Sequence, residues 1–208
     1  EVGDRELTVA ASIGVALTDF SAAYTPDELL RNADAAMYVA KNRGKNRIEV
    51  FEASMHLEAM DRLDLKEDLV GAVGRAELRL YYQPIVELRS GAVVGFEALM
   101  RWQHPTRGLL SPLTFIPLAE ETGQIVPIGQ WALGTAMHQS IAWRDSGRDL
   151  QMAVNLSARQ LEAPEVVDNL SALLQTSGLA PWRLTVELTE SLAVSANAER
   201  RLRAMRAL

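Results

Sequence analysis

The sequence predicts an α/β fold, a (β/α) barrel of the TIM type, reached through a β-α-β stretch and a long helix. Two observations predict it, and a third, an antiparallel start, departs from a simple all-parallel barrel. Three runs read as strands with one apolar face, and each carries a single oxygen donor near its C-terminal end on the opposite face: Glu97 within Val94–Trp102, Asn155 within Gln151–Ser157, and Glu187 within Arg183–Glu190. Helical periodicity fills the intervals between these runs. The Ser90-Gly91 turn is too short for a parallel crossover, so the strands on either side of it are antiparallel. In a parallel barrel the C-terminal strand ends form the catalytic rim.

The elements follow in order. Leu7–Leu17 is rich in small and β-branched residues and reads as a strand. Thr25 caps a helix, with Pro26 at its first position and Glu28 completing a capping box. Leu29, Leu30, Ala33, Ala36, Met37 and Ala40 form its apolar stripe, Lys41 and Arg43 complement its C-terminus, and Gly44 ends it. Arg47–Phe51 is a short strand. Glu52 to Val70 contains neither Pro nor Gly and reads as a long helix with Met55, Ala59, Met60, Leu63 and Val70 along one side.

Leu78–Leu88 and Ala92–Trp102 are the antiparallel pair, and His104–Gly108 is a loop. Ser111-Pro112 starts a helix that runs to Thr122. A second helix, Gln124 to Asp145, is interrupted early by Pro127 and packs through Trp131, Met137, Ile141 and Trp143. A loop follows the Asn155 strand, then a helix from about Pro164 to Thr176 closed by Gly178. Asn197 to Leu208 is a last helix.

Composition narrows the function. The 208 residues carry a net charge of −6, which argues against a nucleic-acid polymer as partner. There is no cysteine, so neither a disulfide framework nor a thiolate site is available, and the three scattered histidines argue against zinc. No apolar run approaches the ~18 residues of a membrane span. The first residue is not Met, so the chain reads as a piece of a longer protein.

The strand Val94–Trp102 places Val94, Phe96, Ala98, Met100 and Trp102 on an apolar face, and Glu97, Leu99 and Arg101 on the other. Ionised groups in such a strand are costly unless paired or bound to something. A structural Glu97–Arg101 pair is one reading. A site built of Glu97, Asn155 and Glu187 is the other, and its hard oxygen donors suit magnesium, manganese or calcium.

These residues resemble the EAL domain, the bacterial cyclic di-GMP phosphodiesterase. Five blocks carry the resemblance in family order: Tyr82-Gln83-Pro84-Ile85, Gly95-Phe96-Glu97-Ala98-Leu99-Met100-Arg101-Trp102, Phe115-Ile116-Pro117-Leu118-Ala119-Glu120, Asn155-Leu156-Ser157 and Glu187-Leu188-Thr189-Glu190. The family fold resembles a (β/α) barrel whose first strand is reversed, in agreement with the short turn at Ser90-Gly91. The first 51 residues are similar to the end of a GGDEF (diguanylate cyclase-like) domain through Ala11–Ala16, Ala33–Lys41 and Gly44–Arg47. The GGDEF signature itself does not occur in this chain; the residues that would hold GTP and its metal are expected before Glu1, and no cyclase activity is claimed for this stretch. A lysine placed like Lys41 can touch triphosphate in that family; a helix-end cation on a solvated surface is the plainer reading.

The resemblance implies residues 1–51 as GGDEF, 52–66 as a linker helix and 67–208 as the N-terminal part of an EAL domain. It implies hydrolysis of cyclic di-GMP to pGpG in the cytoplasm. Glu97, Asn155 and Glu187 would be ligands of Mg2+ or Mn2+, two ions in the complete domain. Gln83, Leu99 and Arg101 would contact the nucleotide, with Arg101 on a phosphate, and Glu190 would anchor a loop over the metals or be a plain surface carboxylate. A homodimer through the EAL region or the linker helix is a further expectation. About 140 residues follow the linker, against about 250 for a complete barrel, and the family's Asp-Asp-Phe-Gly motif is absent. The barrel is therefore expected to be incomplete, and the chain alone inactive and of low stability. The alternative function is a non-catalytic cyclic di-GMP receptor or interaction module; an unrelated magnesium-dependent barrel enzyme is a third.

Overall fold

The computed structural model of the chain describes residues 10–18, 24–188 and 196–208. The chain divides into two compact units, Glu1–Glu67 and Asp68–Leu208.

In the first unit, β1 (Ile13–Val15) and β2 (Ile48–Val50) pair in parallel around α1 (Pro26–Asn42). The capping box forms as the sequence predicts: Thr25 Oγ1 accepts from Glu28 N at 3.3 Å, and Thr25 N donates to Glu28 Oε2 at 2.7 Å. That backbone bond, with the Thr25 hydroxyl, holds the Glu28 carboxyl below the usual carboxylate range. The apolar stripe is shifted from the predicted one. Ala36, Val39 and Ala40 are buried, but Leu30 is 68% exposed. The inward direction is shared by Asn32, whose Oδ1 meets His56 Nε2 at 2.9 Å. Leu7–Val9 of the predicted first strand lie outside the described residues.

Helix α2 (Ser54–Leu69) also turns differently from the sequence reading. Met55, Leu65 and Leu69 are buried, whereas Met60, Leu63 and Val70 are exposed. The predicted side mixed two directions of one helix, because Met60 and Leu63 lie well around the cylinder from the buried line of Met55, Leu65 and Leu69.

The second unit is an open sheet in the order β3-β4-β6-β7, with β5 pairing β4. β3 (Leu78–Val86) and β4 (Val93–His104) are antiparallel, as the Ser90-Gly91 turn requires, and β6 (Gln151–Leu156) and β7 (Leu184–Leu188) follow β4 in parallel. The predicted loop after His104 is instead a hairpin. β5 (Gly108–Leu110) returns along β4, setting His104 opposite Gly108. β4 outruns β6 at this end, and β5 pairs the exposed edge.

One face of the sheet is apolar and covered by helices. Ala98, Met152 and Val154 pack with Leu133, Ala136 and Met137 of α4 (Ile125–Asp145) and with Leu170 and Leu174 of α6 (Val166–Ser177). Tyr82 and Phe96 reach Trp143 with ring centroids 5.0 and 4.6 Å apart, and burial pushes the Tyr82 phenol up from its ordinary value. Further along, Leu156 packs with Leu161 and with Ala198 of α7 (Ala196–Arg206). Pro127 does not interrupt α4. It stands in the first turn, where its missing N–H has no intrahelical partner to lose.

A one-turn helix, α5 (Ala158–Leu161), replaces the loop predicted after the Asn155 strand. Its Ser157 Oγ accepts from Gln160 N at 3.2 Å, and Ser157 N donates to Gln160 Oε1 at 3.0 Å. The S-x-x-Q spacing is the sequence signal for this turn. α3 (Pro112–Thr122) starts at Ser111 as predicted and ends at Gly123 in the left-handed region, φ 78°.

At the far end of β4, Trp102 is fully buried, and its Nε1 donates to Glu77 Oε2 at 3.1 Å. Arg75 pairs with the same carboxylate at 2.6 Å. His104, 2% exposed, meets Asp68 Oδ2 through Nε2 at 3.1 Å, while its Nδ1 accepts from Thr106 N and Arg107 N, each at 3.3 Å. The imidazole thus bridges the end of α2 to the end of β4.

Candidate functional site

The site grows from strand alternation. Glu97 is the register partner of Ala153, and Asn155 is the partner of Glu187. Asn155 lies two residues beyond Ala153, so all three oxygen donors leave the face opposite the helices. The small Ala153 between Glu97 and Asn155 leaves the space clear. Asn155 Nδ2 donates to Glu97 Oε1 at 2.7 Å, which orients the carboxylate and leaves Asn155 Oδ1 and Glu97 Oε2 without a hydrogen bond among the described residues.

The Glu97–Arg101 pair does not form. Arg101 Nη1 donates to Met100 O at 2.8 Å, and its guanidinium lies over the Tyr81 ring with Cζ 5.9 Å from the centroid. Neither Glu97 nor Glu187, both half-buried, pairs with a cation among the described residues. Two uncompensated carboxylates beside an uncommitted amide oxygen are a donor set of hard oxygens, and they fit a divalent cation that keeps part of its water shell. No group of three or more His, Cys, Asp or Glu side chains gathers to hold an ion among the described residues.

Gln83 is the partner of Glu97 across β3–β4, Leu99 is the partner of Tyr81 and Arg101 is the partner of Arg79, so all three predicted nucleotide-contacting residues stand on the same face as the oxygen cluster. Glu190 lies outside the described residues. Tyr81 and Arg79 also stand on this face, and the sequence reading did not single them out. Their signal is the period of two: the alternation that places Gln83 there places 81 and 79 with it. Beside Asn155 and Leu99, the rim and α3 enclose an apolar cavity of about 280 Å³, lined in part by Leu113, Ile116, Pro117 and Leu156. No helix among the described residues is long and apolar enough to cross a membrane.

The family profile of the EAL domain matches residues 66–208, and that of the diguanylate cyclase GGDEF domain matches residues 1–47. The chain is 45% identical over 195 residues to the bifunctional diguanylate cyclase/cyclic di-GMP phosphodiesterase MucR of Pseudomonas aeruginosa, covering 93% of this chain and 28% of MucR. It is 39% identical over 193 residues to the cyclic di-GMP phosphodiesterase PdeR of Escherichia coli, covering 93% and 29%. The chain therefore spans under a third of the length of these curated relatives.

Among solved structures, the PaMucR phosphodiesterase in complex with c-di-GMP matches with a TM-score of 0.66 at 42% identity, over 69% of this chain and 60% of that one. The EAL enzyme Bd1971, in its cAMP- and cyclic-di-GMP-bound form, matches with a TM-score of 0.66 at 28% identity, over 90% and 50%. The unclosed sheet, with its first strand reversed, is an incomplete barrel of this type. The chain carries GGDEF-family sequence followed by EAL sequence, and through residues 66–208 it belongs to the EAL domain family.

Proposed function

We propose that the protein carrying this chain hydrolyses cyclic di-GMP to linear pGpG in a reaction that depends on a divalent metal. The observation that carries the reading is the gathering of Glu97, Asn155 and Glu187 on one sheet face, with Asn155 Nδ2 held 2.7 Å from Glu97 Oε1. The identity to MucR and PdeR supports the choice of substrate.

Glu97, Asn155 and Glu187 would hold the cations, Mg2+ or Mn2+, two in the complete site. When bound, the ions polarise a phosphodiester oxygen and acidify water. Asn155 serves twice: its amide N–H orients the Glu97 carboxylate, and its Oδ1 would be left as a ligand for the cation. Arg101 receives a phosphate oxygen through its planar donor fork. Gln83 and Leu99 contact the nucleotide, and Glu190 anchors a loop over the ions. The protein works in the cytoplasm, and a homodimer forms through the EAL region or α2.

The test is a hydrolysis assay on the full-length protein with magnesium, beside Glu97→Ala. Turnover to pGpG is expected to fall at least ~100-fold in the variant, and turnover that survives it refutes the assignment of the site. Tight binding without turnover in the unaltered protein identifies a receptor instead.

A further inference from the structure

Two arginines face each other on the site's side of the sheet. Arg79 and Arg101 are register partners across β3–β4. Like charges directly opposed weaken a ladder, and a carboxylate between them would relieve the repulsion. Among the described residues neither forms an ion pair. Backbone carbonyls hold both side chains. Arg79 Nη1 donates to Ala76 O at 2.6 Å and Leu78 O at 2.8 Å. Arg101 Nη1 donates to Met100 O at 2.8 Å.

The two anchors share one geometry. In each guanidinium only Nη1 is engaged, and the Nε and Nη2 donors make no hydrogen bond among the described residues. A guanidinium presents its N–H groups as a rigid fork that grips a phosphate bidentately. One corner of each fork is fixed to the backbone and the rest is free. Tyr81, between the two arginines and Gln83 along β3, places its ring 5.9 Å from Arg101 Cζ, within cation–π reach. The face therefore runs from carboxylates at Glu97 and Glu187 to an uncompensated pair of cations at Arg79 and Arg101.

We propose that Arg79 forms, with Arg101, a two-arginine clamp for a phosphodiester of the bound ligand other than the one at the Glu97–Asn155–Glu187 cluster. Tyr81 is a positioning residue that steadies Arg101 within it. The proposal rests on the cyclic-dinucleotide reading of the site, since that ligand carries two phosphodiesters. The repulsion between the guanidinia is relieved when the anion arrives, so the charge that costs the empty sheet stability favours the bound state.

The experiment uses the full-length protein and measures Kd for cyclic di-GMP by calorimetry at several salt concentrations, with KM and kcat where turnover is present. Arg79→Ala is expected to raise Kd and KM about tenfold. It should flatten the salt dependence and leave kcat within about twofold. Arg79→Lys keeps the charge but loses the fork and should fall between. Arg89→Ala, at the exposed tip of the β3–β4 hairpin, reports the general field and should change nothing. The Tm of Arg79→Ala should hold or rise, because an opposed charge is removed. An Arg79→Ala protein with unaltered Kd and salt dependence overturns the clamp alone, as does an equal loss in Arg89→Ala. An unaltered protein that neither binds nor hydrolyses cyclic di-GMP overturns the reading of the site and the clamp with it.

Discussion

Adding a single methyl group at Gly95 tests whether strand separation sets the site. Gly95 is buried two residues before Glu97 and is the register partner of Gln151 on β6. A Cβ there would lie 2.7 Å from Gln151 O and 3.0 Å from Gln151 Cβ, some 0.7 Å inside the 3.4 Å at which ordinary contact begins. The nearest atom is backbone, so no rotamer change relieves the clash. β4 must move away from β6, whose ladder spacing is about 4.8 Å. Overpacking of this kind costs about 1–3 kcal/mol, or roughly 3–10 °C of Tm in a domain of this size. The displacement falls beside the 2.7 Å contact between Asn155 Nδ2 and Glu97 Oε1. Gly95→Ala is therefore expected to lower affinity for the divalent ion as well as Tm, read by thermal unfolding with and without a magnesium titration. Gly134→Ala is the matched control. Its Cβ meets only Leu173 Cδ2 at 3.7 Å inside α4, and alanine favours a helix, so stability should rise by about 0.5–1 kcal/mol. A Gly95→Ala protein as stable as the original, with undiminished metal affinity, would refute the argument from strand spacing.

Two further expectations concern the supports of the site. The Arg75 hydrogen bond, helped by Trp102 Nε1, holds the Glu77 carboxyl below its ordinary range. A depressed folded-state pKa contributes stability above the unfolded value and loses it as pH falls through the folded one. Glu77→Gln should thus cost about 0.5–1 kcal/mol near neutrality, since Arg75 is solvent-screened, and the gap to the unaltered protein should close in acid denaturant titrations below the ordinary carboxylate pKa; a gap independent of pH would exclude the ion pair as its source. Ser157→Ala removes the cap that directs the chain after Asn155 and should cost about 1 kcal/mol by urea unfolding, whereas no change would show the turn to be held by Leu161 burial alone.

Much of this site was legible from the sequence because it depends on the shortest period in protein structure. Side-chain alternation placed Glu97, Asn155 and Glu187 opposite their apolar neighbours, and the sheet keeps that placement. Register was not legible. Nothing local states that Glu97 lies beside Ala153 and not Asn155, since the offset is a property of two strands packed on shared helices. Helix faces misled for the same reason. Leu30 is apolar and near the predicted stripe of α1, but the direction of burial is set by what Ala36, Val39 and Asn32 meet. The β5 hairpin and the α5 turn were missed although their local signals, Gly108 and the Ser157–Gln160 box, stand in the sequence.

The fate of the Glu97–Arg101 pair shows why sheet neighbours outweigh chain neighbours at this site. Four residues along a strand span about 13 Å, so an ion pair at that spacing needs both side chains stretched toward each other over Leu99. The positions across the ladder are only about 5 Å away. There Glu97 meets Gln83 on one side and reaches Asn155 near the other, while Arg101 meets Arg79 and leans on Tyr81. The opposite charges are thus kept apart on one face, with Leu99 between them, when mutual pairing would have neutralised both. The carboxylates stay available to a cation and the guanidinia to an anion. A ligand that brings a phosphodiester to each end, with metal at one of them, satisfies both sets of unpaired charge at once.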